Sequence, residues 1–244
     1  MTGRITVAAH RGYSTQFPEN TLLAFTEAIK LGVDMLEFDL RCTKDDAIVV
    51  IHDATVDRTT NGTGNICDFT RADIQSLDAG AWKHPDYAGC TIPTLQELIA
   101  LVQNTQLTFN VEFKEDSLRT ADMAIQLLGE AELLDRCVFT SFYASVVHHV
   151  AQVHGLRCQG FPGDMMKGFV EGPQGTYAHL YAMGIPMARA VEWVPKAKAL
   201  GLQPWPYCPD TKEAAQLALV AGSVLVTCND PVPALALYTE KGLR

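Results

Sequence analysis

Met35-Leu36-Glu37-Phe38-Asp39-Leu40 is the stretch on which the fold reading turns. In an extended strand alternate residues share a face, so Glu37 and Asp39 point one way and Leu36, Phe38 and Leu40 the other. The three apolar side chains predict a face packed against helices. The two carboxylates cannot lie in an apolar interior unless they are paired or bound to a cation, because an isolated buried charge is too costly. A solvated edge would tolerate two acids, but an interior strand has no solvated face. The stretch therefore reads as one strand of a closed sheet whose inside is a site.

Working outward, short apolar runs alternate with helical patterns along the chain. Residues 5–9 form a β-prone run. A helix follows over 20–31, with Leu22, Leu23, Phe25, Ala28 and Ile29 at helical spacing and Gly32 as its stop signal. Residues 47–51 follow the polar turn Lys44-Asp45-Asp46 as a third strand. Residues 54–93 are rich in Gly, Thr, Asn and Asp, with one helical piece near 71–77, and read as an inserted loop or small subdomain. Alternation then resumes: helix 94–103, opened by Thr94 and Glu97 as a capping box, strand 107–113, helix 117–131, strand 137–140, helix 144–153 and strand 156–161. Within 163–186 only a weak strand near 179–183 is legible. Helix 191–200, strand 203–207, helix 211–221, strand 224–227 and helix 231–239 complete the series, with Pro231 near the first turn of the last helix.

Such alternation predicts a parallel sheet with helices between strands. About eight strands suit an α/β fold of the (β/α)8 TIM-barrel type, with a small insertion after the third strand, as one domain over residues 1–244. An open dinucleotide-binding sheet is disfavoured because no GxGxxG follows the first strand.

Composition narrows the classes of function. The 244 residues carry a net charge of −9, with 48% hydrophobic and 19% charged residues. An acidic globular chain of this kind is a poor partner for nucleic acid or an anionic membrane. An anionic small molecule would need locally supplied positive charge. The seven cysteines are odd in number and no pair has CxxC spacing, which argues against a disulfide framework or thiolate zinc site and for reduced thiols. Neither a signal-peptide core nor a run of roughly 18 apolar residues is visible. The expectation is a soluble cytoplasmic protein, monomer or homodimer, acting on a small molecule.

The chemistry-bearing residues gather at predicted strand ends, where barrel enzymes place their sites. Glu37 and Asp39 are candidate metal ligands. Glu112 and Lys114 repeat the alternation on the strand 107–113, flanked by Val111 and Phe113. They read either as a structural ion pair or as a third carboxylate ligand beside a phosphate-binding lysine. Three carboxylates suit a hard divalent cation, Mg²⁺ or Ca²⁺. His10 and His52 close the first and third strands, and such a pair can divide general acid and base between its members. Arg11 offers a planar fork for a phosphate, and Asp53 sits beside His52. In Pro18-Glu19-Asn20-Thr21, capping explains Asn20 or Thr21, and Glu19 and Asn20, like Asp53, are candidate supporting groups of the site, Glu19 being also a possible ligand. Trp205 closes a strand and is a candidate pocket wall, whereas Trp82 and Trp193 read as packing residues. His148 and His149 read as surface or core side chains of a helix, and His84, His154 and His179 have no charged neighbour at useful spacing.

The series His10-Arg11-Gly12, Pro18-Glu19-Asn20-Thr21, Glu37-Phe38-Asp39, His52-Asp53 and Glu112-Phe113-Lys114 resembles the glycerophosphodiester phosphodiesterase family. Weaker matches are Thr59 to Gly64, Leu77-Asp78-Ala79-Gly80, Ile92-Pro93-Thr94-Leu95, Ser141-Phe142 and Asn229-Asp230-Pro231. The resemblance is dense over residues 8–142 and thin from 160 to 200. It implies a TIM barrel with a small insertion, and hydrolysis of glycerophosphodiesters to sn-glycerol 3-phosphate and an alcohol. It implies Glu37, Asp39 and Glu112 as metal ligands, His10 and His52 as the acid–base pair, and Arg11 and Lys114 as phosphate binders. The run Trp205-Pro206-Tyr207-Cys208 stands where the family usually has a Trp-Thr-Val-Asn-like run, and Thr227-Cys228-Asn229-Asp230 where it more often has Thr-Asp directly. Both departures bear on substrate choice. Which histidine is the acid stays open, as does attack by the substrate's own 2-hydroxyl through a cyclic phosphate against attack by water. The rival readings are a barrel phospholipase of the sphingomyelinase D type acting on lysophospholipid or sphingolipid, and a non-catalytic phospho-ligand binder.

Overall fold

The computed structural model describes residues 4–244; the first three residues of the expected 1–244 domain lie outside the described residues. Nine strands form one sheet: β1 (Thr6–His10), β2 (Met35–Cys42), β3 (Ile48–Val50), β4 (Thr108–Phe113), β5 (Cys137–Ser141), β6 (Cys158–Gly160), β7 (Ala182–Pro186), β8 (Gln203–Tyr207) and β9 (Leu225–Cys228). All except β3 are parallel, and β1 pairs with both β2 and β9, so the other eight close into a barrel. Eight helices accompany them among the described residues: α1 (Leu22–Leu31), α2 (Arg71–Gln75), α3 (Leu95–Val102), α4 (Leu118–Glu130), α5 (Ala144–Val153), α6 (Ala190–Ala199), α7 (Lys212–Ala221) and α8 (Val232–Glu240).

The expected third strand is corrected in one respect. β3 is the returning arm of a hairpin and lies antiparallel on β2, with Leu40 opposite Val50 and Cys42 opposite Ile48. Residues 43–47 turn the chain: Thr43 N donates to Ala47 O at 2.9 Å, and Asp46 takes a positive φ of 62°. A turn this short can only join antiparallel strands, whereas a parallel pair needs a crossover of a dozen or more residues. The insertion thus follows a hairpin appended to the barrel. It packs its own small core of Val49, Ile51, Val56, Ile66, Ile74, Ala79 and Ile92.

Strand alternation sorts the interior from the helical layer. Ala9, Leu36, Phe38, Leu40, Val111 and Phe113 point outward into the main core under the helices. Ala8, Met35, Val138, Ala182, Trp205 and Leu225 point inward and plug the barrel near its N-terminal end. Above that plug lies a polar layer in which Asn110 Nδ2 donates to Gln159 Oε1 at 2.9 Å and Thr140 Oγ1 donates to Asn110 Oδ1. Gly184 faces this layer, where a Cβ would come within 2.5 Å of Gln159 Nε2 and 2.8 Å of the Phe161 ring. Side chains from β6 therefore reach across a position that only glycine leaves open.

Helix ends follow the sequence signals. Thr21 caps α1 by accepting from Ala24 N, and Gly32 ends it in the left-handed conformation. Thr94 and Glu97 form the expected capping box. The weak strand near 179–183 lies later, as β7, because residues 176–179 take a 3-10 turn first. All seven cysteines are free thiols.

Candidate active site

The C-terminal ends of the strands converge on a cavity of about 290 Å³ lined by His10, Arg11, Glu37, His52, Glu112 and Lys114 together with Phe142, Phe161, Trp205 and Tyr207. Pairing register builds its centre: Asp39 stands opposite Glu112 across β2 and β4, and His10 opposite Glu37 across β1 and β2. One oxygen from each of Glu37, Asp39 and Glu112 lies within 4.8 Å of the others, and all three side chains are buried. Burial first, then Asp39 and Glu112, push the Glu37 carboxyl well above the usual carboxylate range. Burial raises Glu112 as well, against the pull of Lys114. Asp39 goes the other way: burial is outweighed by Arg11, Lys114, His52 and a hydrogen bond from Asn20, which hold it at about 2. Glu37 Oε1 and Asp39 Oδ1 are buried with no hydrogen-bond partner. Buried oxygens without donors are rare, and a trio that shares two of them has the donor chemistry of a divalent-cation site.

The basic residues border this trio. Lys114 Nζ donates to Glu112 Oε1 at 2.6 Å and lies 3.5 Å from Asp39 Oδ1. Arg11 is held in the left-handed region at φ 58°. Its backbone N–H donates to both the carbonyl and the Oε2 of Glu37, each at 3.0 Å, and its carbonyl accepts from Asn20 N. Gly12 follows at φ 78°, where a Cβ would meet Ala24 C at 2.6 Å. The sharp turn after β1 therefore needs that glycine. Arg11 NH1 donates to Glu19 Oε1 at 2.9 Å, while its Nε lies 3.2 Å from Asp39 Oδ2. Asn20 is not the helix cap. At φ 57° it turns its amide inward, where Nδ2 donates to Asp39 Oδ2 at 2.8 Å.

The two histidines stand on different supports. His52 lies two residues beyond β3, and Arg41 Nε donates to its carbonyl at 2.9 Å. Its Nδ1 bonds Asp53 Oδ1 at 2.6 Å, and Asp53 in turn takes 2.7 Å and 3.2 Å bonds from Arg58. Burial lowers the His52 pKa, with Arg11 and Lys114 reinforcing that and Asp39 and Asp53 opposing it. His10 Nδ1 bonds Asn229 Oδ1 at 2.6 Å. Asn229 is itself fixed by Asp210, which accepts from both its N and its Nδ2 at 2.7 Å. Burial would depress His10, but the bonds to Cys208 and Asn229 outweigh it and raise its pKa.

Three supports were not among the sequence candidates. Arg58 joins Glu19 and Asp53 from the irregular insertion, where no periodicity marks it. Asn229 directly follows β9 and sat in a familiar-looking run; the strand-end rule that singled out His10 would have found it. Asp210 lies three residues past the end of β8. Trp205 lines the cavity as expected, but its place in the strand is a correction. It lies within β8 and not at its end, is 3% exposed, packs on Ala8, Met35, Val138 and Leu225, and sends its indole N–H to Gln203 at 3.3 Å, toward the plug. It is a floor under the cavity and offers no donor to a phosphate. His154 is a second correction: its Nε2 lies 2.7 Å from Asp122 of the neighbouring helix, beside His149 at 2.6 Å. A third is His84, whose Nδ1 accepts from Asp86 N at 3.3 Å. A larger open depression of about 670 Å³ beside Asp164, Tyr177, Arg189 and Trp193 contains none of the candidate residues.

The glycerophosphoryl diester phosphodiesterase family model matches residues 10–135, from the first histidine through β4 and α4. The chain belongs to that family. A glycerophosphodiester phosphodiesterase of Caldanaerobacter subterraneus subsp. tengcongensis is 42% identical over 139 residues, 56% of this chain and 57% of that protein. One from Bacillus subtilis is 45% identical over 104 residues, 39% of this chain and 36% of that protein. The alignments thus span from about a third to just over half the length of these curated relatives. Among solved structures, a putative glycerophosphoryl diester phosphodiesterase of Agrobacterium tumefaciens str. C58 superposes with a TM-score of 0.85 at 26% identity, covering 99% of this chain and 100% of that one. A phosphodiesterase of Oleispira antarctica, solved in complex with the product sn-glycerol-3-phosphate, gives 0.85 at 25% identity over 97% of each chain.

Proposed function

We propose that this chain hydrolyses glycerophosphodiesters to sn-glycerol 3-phosphate and an alcohol, using a divalent cation and a histidine pair. The observation that carries the reading is the juxtaposition, at one cavity, of two differently supported histidines with a trio of buried carboxylates, two of which carry an oxygen without a hydrogen-bond partner. The full-length likeness to the Oleispira phosphodiesterase bound to sn-glycerol-3-phosphate supports the product assignment.

Glu37, Asp39 and Glu112 are the residues that would hold the cation, Mg²⁺ or Ca²⁺. When bound it would neutralise charge on the phosphoryl oxygens, which an acidic protein cannot otherwise spare. Arg11 and Lys114 add fixed positive charge at the same mouth and orient the diester.

The histidine supports divide the proton work. Asp210 orients the Asn229 amide so that its oxygen faces His10, which requires the His10 proton on Nδ1 and leaves Nε2 toward the cavity. With its pKa raised, His10 suits the acid that gives a proton from Nε2 to the departing alkoxide. His52 donates a hydrogen bond from Nδ1–H to Asp53 Oδ1 and keeps a free Nε2 lone pair. With its pKa lowered, it suits the base. In the hydrolysis proposed, His52 removes the proton of the attacking hydroxyl, the new P–O bond forms, and the bond to the alcohol breaks as His10 protonates it. If the attacker is the glycerol 2-hydroxyl, water then opens the cyclic phosphate with the two roles exchanged.

The test is release of glycerol 3-phosphate from a panel of soluble glycerophosphodiesters, with EDTA and with Mg²⁺ or Ca²⁺ restored. Release that stops in EDTA and returns with the ion supports the reading. Folded, ion-replete protein that releases none would overturn it.

A further inference from the structure

Beside the catalytic cavity runs a second groove of about 250 Å³, lined by Glu112, Lys114, Phe142, Tyr143, Met165 and Lys167. It shares Glu112, Lys114 and Phe142 with the cavity that holds the histidines. The two spaces therefore adjoin at Lys114, within reach of one of the two arms of a diester bound at the cavity mouth.

The groove is built to stay as it is. Phe142 stacks on Phe161 at 3.6 Å between centroids and 8° between planes, which fixes the shared wall. Lys167 N donates to Phe142 O at 2.8 Å and Ala144 N donates to Lys167 O at 2.9 Å, so the Lys167 backbone is bridged to the end of β5. Met166, next to it, accepts from Phe161 N through Sδ at 3.3 Å. Lys167 is thus pinned at the rim although its side chain is exposed.

The aromatic faces in the groove already hold cations. Lys114 Nζ lies 5.5 Å from the Phe142 centroid, and Lys167 Nζ lies 4.8 Å from the Tyr143 centroid while donating to its hydroxyl at 3.2 Å. The same is true of the larger depression nearby, where Arg189 and Lys196 lie 4.9 Å and 4.7 Å from the Trp193 centroid. A quaternary ammonium head group is recognised by open aromatic faces. Here it would meet rings already occupied by ammonium and guanidinium groups of like charge. Glu112, the carboxylate of the groove, is engaged by Lys114. An alcohol rich in hydroxyls meets the opposite situation, because the Lys167 ammonium supplies donors and the Tyr143 hydroxyl both donates and accepts.

We propose that this groove is the subsite for the leaving alcohol, that it takes uncharged polyols in preference to quaternary ammonium alcohols, and that Lys167 sets the preference. The proposal rests on the hydrolysis proposed above and narrows its substrate.

The experiment compares kcat/KM for glycerophosphoglycerol and glycerophosphoinositol with that for glycerophosphocholine, in wild type, Lys167→Ala and Lys167→Glu, at low and high salt. Wild type favours the polyol diesters. Lys167→Ala lowers that preference about threefold and Lys167→Glu about tenfold, on the scale of exposed charge interactions, and the Lys167→Glu change shrinks in salt. A melting curve confirms that each variant is folded, as expected for an exposed side chain. Equal or better use of glycerophosphocholine by wild type would overturn the proposal, as would an unchanged preference in Lys167→Glu. Wild type that cleaves no diester would overturn the phosphodiesterase reading and this one with it, whereas cleavage without preference would overturn this one alone.

Discussion

Replacing Glu37 by Gln should stabilise the protein in EDTA and remove its stabilisation by metal. The magnitude follows from the carboxylate trio. Glu37 sits within 4.8 Å of oxygens of Asp39 and Glu112. At an effective dielectric of about 20, two unit charges at that distance repel by about 3.5 kcal/mol. Arg11 and Lys114 return part of this, and the raised Glu37 pKa lets proton uptake relieve more of it. A net gain of about 2 kcal/mol in the metal-free variant is the result, because neutralising one member of a buried set with more carboxylates than its two cations balance removes a cost without opening a cavity. Gln keeps an acceptor for the Arg11 backbone N–H now bonded at 3.0 Å and adds a donor toward the unpartnered Asp39 Oδ1. For a chain of this size about 2 kcal/mol corresponds to a Tm rise of about 4–8 °C. The assay is thermal melting of both proteins in EDTA and in millimolar Mg²⁺ or Ca²⁺. Wild type should gain Tm with the ion, and Glu37→Gln should start higher and gain little. A variant less stable than wild type in EDTA, or equally stabilised by the ion, would refute the assignment of the trio as an ion site.

Asn229→Leu removes the acceptor that fixes His10 and should lower kcat by about tenfold to a thousandfold, with a smaller change in KM, since the general acid loses its orientation; steady-state kinetics on one diester reads this, and an unchanged kcat would show that His10 needs no support. Trp205→Ala removes a side chain that is 3% exposed in the barrel plug and should cost about 3–5 kcal/mol of stability, read by denaturant melts; a folded variant of normal stability whose only defect is a raised KM would instead make Trp205 a substrate contact. Glu19 and Asp53 both titrate below the ordinary carboxylate range, Glu19 because Arg58 and Arg11 outweigh its burial and Asp53 chiefly through its bond to Arg58. A depressed folded-state pKa gives stability that is present above the unfolded pKa and lost as pH falls through the folded one. The Tm advantage of wild type over Arg58→Ala should therefore be full at neutral pH and shrink from about pH 5 downward, and an advantage that grows in acid would contradict the ion-pair account.

Strand–helix alternation counted to about eight strands revealed the barrel, and the strand around Met35 was legible from its acids on one face and apolar side chains on the other. It also brought Glu37 and Asp39 to one face, and pairing register then set Asp39 opposite Glu112. What local pattern could not carry was strand direction. A run such as residues 48–50 is β-prone whether parallel or antiparallel, and only the short turn at 43–47, rather than a helix, separates it from β2. Residue roles that depend on distant partners were hidden for the same reason. Asn20 offered two readings, a cap or a support of the site, and only the fold brings its amide to Asp39, 19 residues away. Trp205 read as closing a strand, but it lies in the middle of β8, whose bounds match the predicted 203–207, and its indole packs in the plug. Arg58 lies in an insertion without periodicity, so its bridge between Glu19 and Asp53 became visible only when the chain folded back. His154 gained Asp122 across two packed helices that sequence spacing cannot relate.

The division of labour between the histidines is the centre of the account, and changing the leaving group tests it most directly. Wild type, His10→Ala and His52→Ala should be assayed with Mg²⁺ or Ca²⁺ on a natural glycerophosphodiester and on a glycerophospho-p-nitrophenyl diester, whose phenolate departs without a proton. His10→Ala should lose activity on the natural diester and keep most of the first-turnover release of nitrophenolate, which precedes any exchange of roles, while His52→Ala should lose both. Equal loss on both substrates in both variants, or rescue of His52→Ala by the nitrophenyl group, would contradict it.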